Sequence, residues 1–205
     1  MSIVKVQGNA SGTGTLTIAA PNTNTDRTLT LPDNTGTLLS SASTLAATSL
    51  SGRVPAANAP SGSVIQVVNT MFNPSTVSTT STSYVDSGLS LGITLSSASN
   101  RVLILVNGGH SYVNSYPNGM IETICRQSST TYSSGNDLAN TTYGLTQIYN
   151  STNLNTAPHS MNTLDTTPGS TTPTYRVFFR SRSGGSVIWQ EGSSFISMTL
   201  MEIVG

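Results

Sequence analysis

Thr174-Tyr175-Arg176-Val177-Phe178-Phe179-Arg180 is the stretch whose reading decides the fold class. Tyr175, Val177 and Phe179 alternate with Arg176, Phe178 and Arg180. A period of two sends one row of side chains into a core and leaves a mixed row on the other face, which is the signature of a β-strand. Outward from it, short segments of the same kind recur with Gly, Asn, Ser or Pro between them. They are Val64–Val68, Tyr84–Ser87, Leu91–Leu95, Val102–Val106, Met120–Arg126, Tyr143–Tyr149, Ser186–Gln190 and Phe195–Val204. Val102-Leu103-Ile104-Leu105-Val106 is apolar at every position, so both of its faces are expected to be covered. In the last segment Met198, Leu200, Glu202 and Val204 share a face opposite Ile196, Thr199, Met201 and Ile203 only if a bulge shifts the phase near Ser197. Nine short strands over residues 63–205 fit a β-sandwich of jelly-roll-like topology.

Composition agrees with an all-β chain. Only 8% of the 205 residues are charged and the net charge is zero. Ser and Thr together supply 65 residues, and Thr, Val and Ile suit a pleated, half-exposed surface. Disorder usually goes with high net charge or few β-branched residues, and neither holds here. Nucleic acid is not an expected partner, because phosphate binding needs clustered Lys and Arg and the chain has eight, spread along its length. Arg176, Arg180 and Arg182 form the one local group and read as rim charges on a strand and the turn after it. The single cysteine, Cys125, excludes an internal disulfide framework and reads as a small buried hydrophobe. No apolar stretch approaches the ~20 residues of a membrane span. Met1-Ser2-Ile3-Val4-Lys5 carries no signal-peptide core, so synthesis in a cytoplasm without secretion by that route is expected.

Ahead of the head domain lie an arm, residues 1–44, and an Ala/Ser/Pro-rich linker, residues 45–62. In the arm, Thr15-Leu16-Thr17-Ile18 and Thr28-Leu29-Thr30-Leu31 alternate Thr with an aliphatic residue, and Thr35-Gly36-Thr37-Leu38-Leu39 follows a turn. Leu16, Ile18, Leu29, Leu31, Leu38 and Leu39 are its candidate assembly residues. Six aliphatic side chains bury too little to offset the backbone entropy of so long an extended segment. The missing surface is expected to come from other chains, most simply from intertwined identical copies.

The stretch from Gly8-Asn9-Ala10-Ser11-Gly12-Thr13-Gly14-Thr15-Leu16-Thr17-Ile18 to Arg27-Thr28-Leu29-Thr30-Leu31-Pro32-Asp33 resembles a module of tail fibres and related virion proteins of tailed bacteriophages, including those infecting cyanobacteria. Ala59-Pro60-Ser61-Gly62-Ser63-Val64-Ile65-Gln66-Val67-Val68 is similar to the start of a C-terminal head in that group, and Ile196 to Val204 to its closing strand. Together the matches cover about a third of the chain. Family members are typically trimeric, and the resemblance implies a homotrimer here. Tail fibres are usually longer, with a dedicated docking domain, for which this short form leaves no room beyond its arm. A capsid decoration or cement protein, whose arm grips the capsid and whose head projects, fits the short length equally well.

No catalytic set stands out. The histidines are His110 and His159, and the match of His110 with Asp137 and one of 33 Ser carries almost no information. Neither Gly-x-Ser-x-Gly nor His-Glu-x-x-His occurs. The acids Asp26, Asp33, Asp86, Asp137, Asp165, Glu122, Glu191 and Glu202 form no recognisable glycosidase pair. Glu122 and Glu202 lie on strands and read as partners for Arg. No cofactor is expected. Three copies of His110 or His159 meeting on an axis would suit zinc or nickel, but both read as ordinary loop histidines, and no metal site is assigned.

The loop Asn107–Gly119 is rich in Tyr, Asn, Ser and Gly, the residue types of an adaptable recognition loop. Its candidates are His110, Tyr112, Asn114 and Tyr116, and Tyr132 begins a second stretch of similar character. The expectation is a non-enzymatic structural protein of the virion surface, made in the host cytoplasm. It would attach to the major capsid protein or to tail proteins through its arm and bind host surface polysaccharide with its head. The alternatives are a capsid decoration protein that stabilises the phage head, and a polysaccharide-cleaving tailspike.

Overall fold

The structure is a computed structural model. It describes residues 58–205 other than 74–75, 140, 152–154 and 191–193, together with residues 8, 10–15, 17, 19, 22–26 and 28. The chain divides into two compact units, Met1–Ser51 and Gly52–Gly205. In the first, the described residues carry no strand, and Thr15, Thr17 and Thr28 are exposed. The six aliphatic arm positions, Leu16, Ile18, Leu29, Leu31, Leu38 and Leu39, lie outside the described residues, as does most of the linker.

The second unit is all-β. Its strands are β1 (Val64–Phe72), β2 (Val77–Thr79), β3 (Val85–Gly92), β4 (Arg101–Val113), β5 (Asn118–Arg126), β6 (Thr146–Asn150), β7 (Asn155–Asp165), β8 (Thr174–Ser181), β9 (Val187–Gln190) and β10 (Ile196–Ile203). They form two antiparallel sheets. In the second, the order is β3-β8-β5-β6. In the first, β4 is the longest strand and organises the rest. β7 pairs along one side of β4 for nearly its full length. On the other side β10 pairs Arg101 to Gly108 and β9 pairs Tyr112 and Val113, so β9 and β10 are successive parts of one lane. β1 on β10 and β2 on β9 make the next lane in the same way. The first sheet is therefore four lanes wide: β1/β2, β10/β9, β4 and β7.

The buried side chains of both sheets form one apolar cluster, with Ile104, Met198 and Leu200 from the first and Met120, Ile124, Val177 and Phe179 from the second. Alternation explains who is inside. Val102, Ile104 and Val106 are fully buried, whereas Leu103 and Leu105 are half-buried, so one face of this all-apolar stretch stays partly open. Ile196, Met198, Leu200 and Glu202 share the inner face in unbroken alternation, so no bulge falls at Ser197. The register shift lies instead on the partner, between Val64 and Gln66 of β1.

Other expectations are corrected. Tyr84–Ser87 and Leu91–Leu95 belong to one strand, β3, bent where Gly88 takes φ 84° and the register slips between Asp86 and Ser90. Ile93 and Leu95 continue past its end, their amides bonded to Pro173 O at 3.1 Å and Thr171 O at 2.7 Å. The segment Asn107–Gly119 is mostly strand. Gly108 (φ 97°) and Gly109 (φ 57°) make a bulge inside β4, where the Gly109 amide donates to Phe195 O at 2.7 Å. A Cβ on Gly108 would come 2.7 Å from that carbonyl oxygen, and one on Gly109 would collide with Ile196.

His159 is a strand residue, not a loop histidine, and is buried on β7. Its Nδ1 lies 2.7 Å from Glu122 of β5, and its Nε2 meets Trp189 O at 2.7 Å. The pair ties one sheet to the other across the core. Burial lowers the pKa of His159, but the Glu122 charge and bond, with the Trp189 carbonyl, outweigh it and leave the imidazole pKa raised. Glu202 also has no Arg partner among the described residues. Its Oε1 accepts from the Ser96 amide and hydroxyl, both at 2.7 Å, and from Asn100 Nδ2 at 2.6 Å.

Candidate recognition surface

The residues singled out for recognition divide among three places. His110 and Tyr112 lie on β4, on the outer face of the first sheet, both half-buried. Ser194 Oγ meets His110 Nδ1 at 3.0 Å, and the Tyr112 ring meets the imidazole edge-on at 5.1 Å. Asn114 and Tyr116 follow in the short connection from β4 to β5, where Asn114 is exposed and Tyr116 is 67% exposed. Tyr132 is elsewhere. It packs against Tyr84 at 4.5 Å and Phe178 at 5.7 Å, and its hydroxyl donates to Asp137 at 2.8 Å. That ring covers the outer face of the second sheet.

The structure adds three residues to Asn114 and Tyr116. Arg182, exposed just past the end of β8, holds its guanidinium 4.7 Å from the ring centre of Tyr149 and 5.4 Å from that of Tyr143. Tyr143 is 52% exposed and Tyr149 is 45% exposed. Both distances are those of cation–π contacts. Gly119 forms the floor. A Cβ there would lie 2.8 Å from Ile148 O, 3.3 Å from the Tyr149 ring and 3.5 Å from Arg182 Cδ, so only glycine lets ring and side chain close over the strand.

Asn118 fastens the surrounding connections. Its amide donates to Ser115 Oγ at 3.3 Å, while its Oδ1 accepts from Ser181 Oγ at 3.1 Å and the Ser183 amide at 3.0 Å. The Arg182 amide donates to Gly119 O at 2.8 Å and the Asn114 amide to Ser186 O at 3.1 Å. The β4–β5 and β8–β9 connections are thereby joined into one hydrogen-bonded surface. Tyr143, Tyr149 and Arg182 are far apart in sequence from one another or from the Tyr/Asn-rich run, and no local pattern links them.

The described guanidinium groups differ in their commitments. Arg176 pairs with Asp86 at 2.7 Å and Arg126 with Asp165 at 2.8 Å. Arg180 donates to Thr142 O at 2.7 Å and lies over Tyr84. Arg182 has no carboxylate partner among the described residues.

Nucleophile chemistry finds little support in the geometry. Burial, reinforced by the charge of Asp137, pushes the Cys125 thiol up to about 12, so it stays protonated and unreactive. Asp137 is occupied by Thr123, Tyr132 and the Ala139 amide, away from His110. Ser194, the hydroxyl on His110, also accepts from Gln190 Nε2 at 2.8 Å, and no carboxylate orients the imidazole among the described residues. No group of three metal-ligating side chains occurs among them either. A cleft of about 360 Å³ lies at the opposite end of β4, lined by Ser96, Ser99, Asn100 and Gly205 among others. No described helix is long and apolar enough to cross a membrane. No protein-family model matches the chain, and no curated protein matches it.

Proposed function

We propose that this chain is a non-enzymatic structural component of a tailed-phage virion, a homotrimer that assembles through its N-terminal arm and one face of its head and displays a glycan-binding surface. The head is read as a jelly-roll sandwich. Counting β1/β2 and β10/β9 as single lanes, the order of lanes in the two sheets is that of two interleaved Greek keys.

One observation carries the assembly reading: an apolar row crosses the outer face of the first sheet, beside rows of Asn, Ser and Thr, and no other described segment covers it. Register places Val67, Met201, Leu103 and Leu164 side by side across all four lanes. Val67 is 54% exposed, Leu164 41%, and Met71 on the same face 65%. Among the described strand positions of this face there is no acid and one guanidinium, Arg101, which lies at the margin and donates to Val204 O at 3.2 Å. Contiguous apolar surface of this kind marks an interaction site. Further copies of the chain are its occupants, because a charged partner would have to strip its charges of water against a neutral surface, whereas a chain only 8% charged has few to strip. The arm makes the same demand, since its aliphatic rows need surface from other chains. The resemblance to tail fibres supplies the number three and the virion.

Light scattering on the full chain should give about three times 21.3 kDa. Val67→Glu with Leu164→Glu should lower that mass while leaving the β spectrum unchanged. A wild-type monomer would defeat the reading. Antibody against the chain should label intact particles. Label on the tail supports the fibre, label on the capsid supports the decoration protein, and label on neither removes the virion assignment. Host polysaccharide should stay uncut on long incubation.

A further inference from the structure

We infer that the surface built by Arg182, Tyr143 and Tyr149 is a binding site for an acidic saccharide, with Arg182 pairing to a sugar carboxylate and the two rings packing against sugar faces. The inference deepens the glycan-display part of the proposed function and rests on it.

Three observations carry it. The first is charge. Among the described residues, Arg126 and Arg176 are each neutralised by an aspartate, and Arg180 spends its donors on backbone carbonyls. Arg182 is exposed and faces no carboxylate there. In a chain only 8% charged, an uncommitted cation in a fastened frame selects for an anion.

The second is shape. A guanidinium lying over phenol rings engages them with its planar face and keeps its N–H donors in the plane, where a carboxylate accepts two of them in parallel. The rings at 4.7 Å and 5.4 Å hold that plane in place and reduce its freedom before any ligand arrives. Tyr143 and Tyr149, 52% and 45% exposed even with Arg182 against them, keep apolar surface for the C–H face of a pyranose.

The third is rigidity. Asn118 bonds both neighbouring connections, and Gly119 admits no side chain beneath the pair. The connection carrying Tyr116, 67% exposed, belongs to the same bonded frame and offers a further ring for an extended chain of sugars. A nucleic acid is disfavoured here as well, because a single guanidinium at this surface cannot neutralise a run of phosphates.

The test uses the full chain, with polygalacturonate and alginate as probes and their carboxyl-reduced forms as controls. Wild type should bind at least one acidic polymer. Carboxyl reduction should weaken binding about tenfold, as expected when a charged hydrogen bond is lost, and Arg182→Gln should do the same. Arg182→Lys should fall between, because it keeps the charge without the planar fork. Tyr143→Ala should weaken binding to the acidic polymer without altering the melting curve, which separates site from fold. Equal binding to the reduced polymers, an unchanged affinity in Arg182→Gln, or no binding to either acidic polymer would overturn the inference. So would competition by acetate or inorganic phosphate as strong as that by galacturonate oligomers, which would leave a bare anion site. The two readings fail separately. Labelled, trimeric particles whose protein ignores both polymers sink the saccharide site alone, and Arg182-dependent binding by a protein absent from particles sinks the virion reading alone.

Discussion

Both sheets turn one face toward a shared core, and their outer faces are finished differently. On the second sheet, Ile121, Thr123, Cys125 and Phe178 point away from the core cluster and are nonetheless fully buried. The connection from β5 to β6 covers them. Tyr132 meets Phe178 edge-on, Asp137 bonds Thr123, and Gly144 closes against Ile121. Charges on that side are paired or laid over rings: Arg176 with Asp86, Arg180 over Tyr84. On the first sheet no described segment crosses the outer face, and Val67, Met71 and Leu164 remain exposed. The 19-residue connection from β5 to β6 covers the one face, while nothing among the described residues covers the other.

That contrast can be broken at either side. The largest effect is expected on the covered face. Phe178→Ala should cost about 3–5 kcal/mol in denaturant unfolding, as truncation of a fully buried aromatic usually does. A loss below about 1 kcal/mol would mean that the connection does not seal that face.

The Glu122–His159 pair, which joins the sheets between the two faces, should come next. Because the folded pKa of His159 is raised, its contribution is complete below the ordinary imidazole pKa of 6.5 and is lost as pH rises through the folded value. Melting temperature should therefore decline on the alkaline side, and His159→Gln should flatten that slope. A wild-type curve that rises over the same range would contradict the pairing.

A smaller effect belongs to the open face. Val67→Ala and Met71→Ala should change the stability of the isolated protomer by no more than about 0.5 kcal/mol while weakening its association. A large loss in the protomer would show that its own chain covers this face. Smallest of all, Cys125 should resist alkylation in the native protein well into the alkaline range, since its thiol is pushed up to about 12 beneath the covered face. Rapid labelling at neutral pH would mean that the cover opens.

Legibility followed burial. β8 and the closing strand β10 were readable because their inward positions are apolar up to Ser181 and Glu202 at the ends, which imposes a period of two on the sequence. β7 was not. Its inward positions hold His159 and Asp165 beside Met161, and Pro158 interrupts it, so the alternation is one of burial without being one of hydrophobicity. Those polar side chains are tolerated inside because Glu122, and Arg126 with Tyr175, answer them across the core. β2, at three residues, is too short to carry a period. Asn107–Gly119 read as a loop because Gly108-Gly109 usually ends a strand, yet here the pair bends β4 around the Phe195–Ile196 backbone.

The candidate site shows the same division. Tyr116 and Asn114 were visible as members of a polar, aromatic run, while Tyr132 looked alike and proved to be a covering ring. Residue type alone does not report which side of a tyrosine meets water. The sequence by itself determined the all-β class, the shortage of charge and the alternation of the strongest strands, because composition and short-range periodicity are local properties. Only the tertiary structure decided that Val67, Met201, Leu103 and Leu164 form one row, or that Arg182 lies over both Tyr143 and Tyr149. Those neighbours are brought together by strand register across lanes distant in sequence, and register is set by the packing of the whole core.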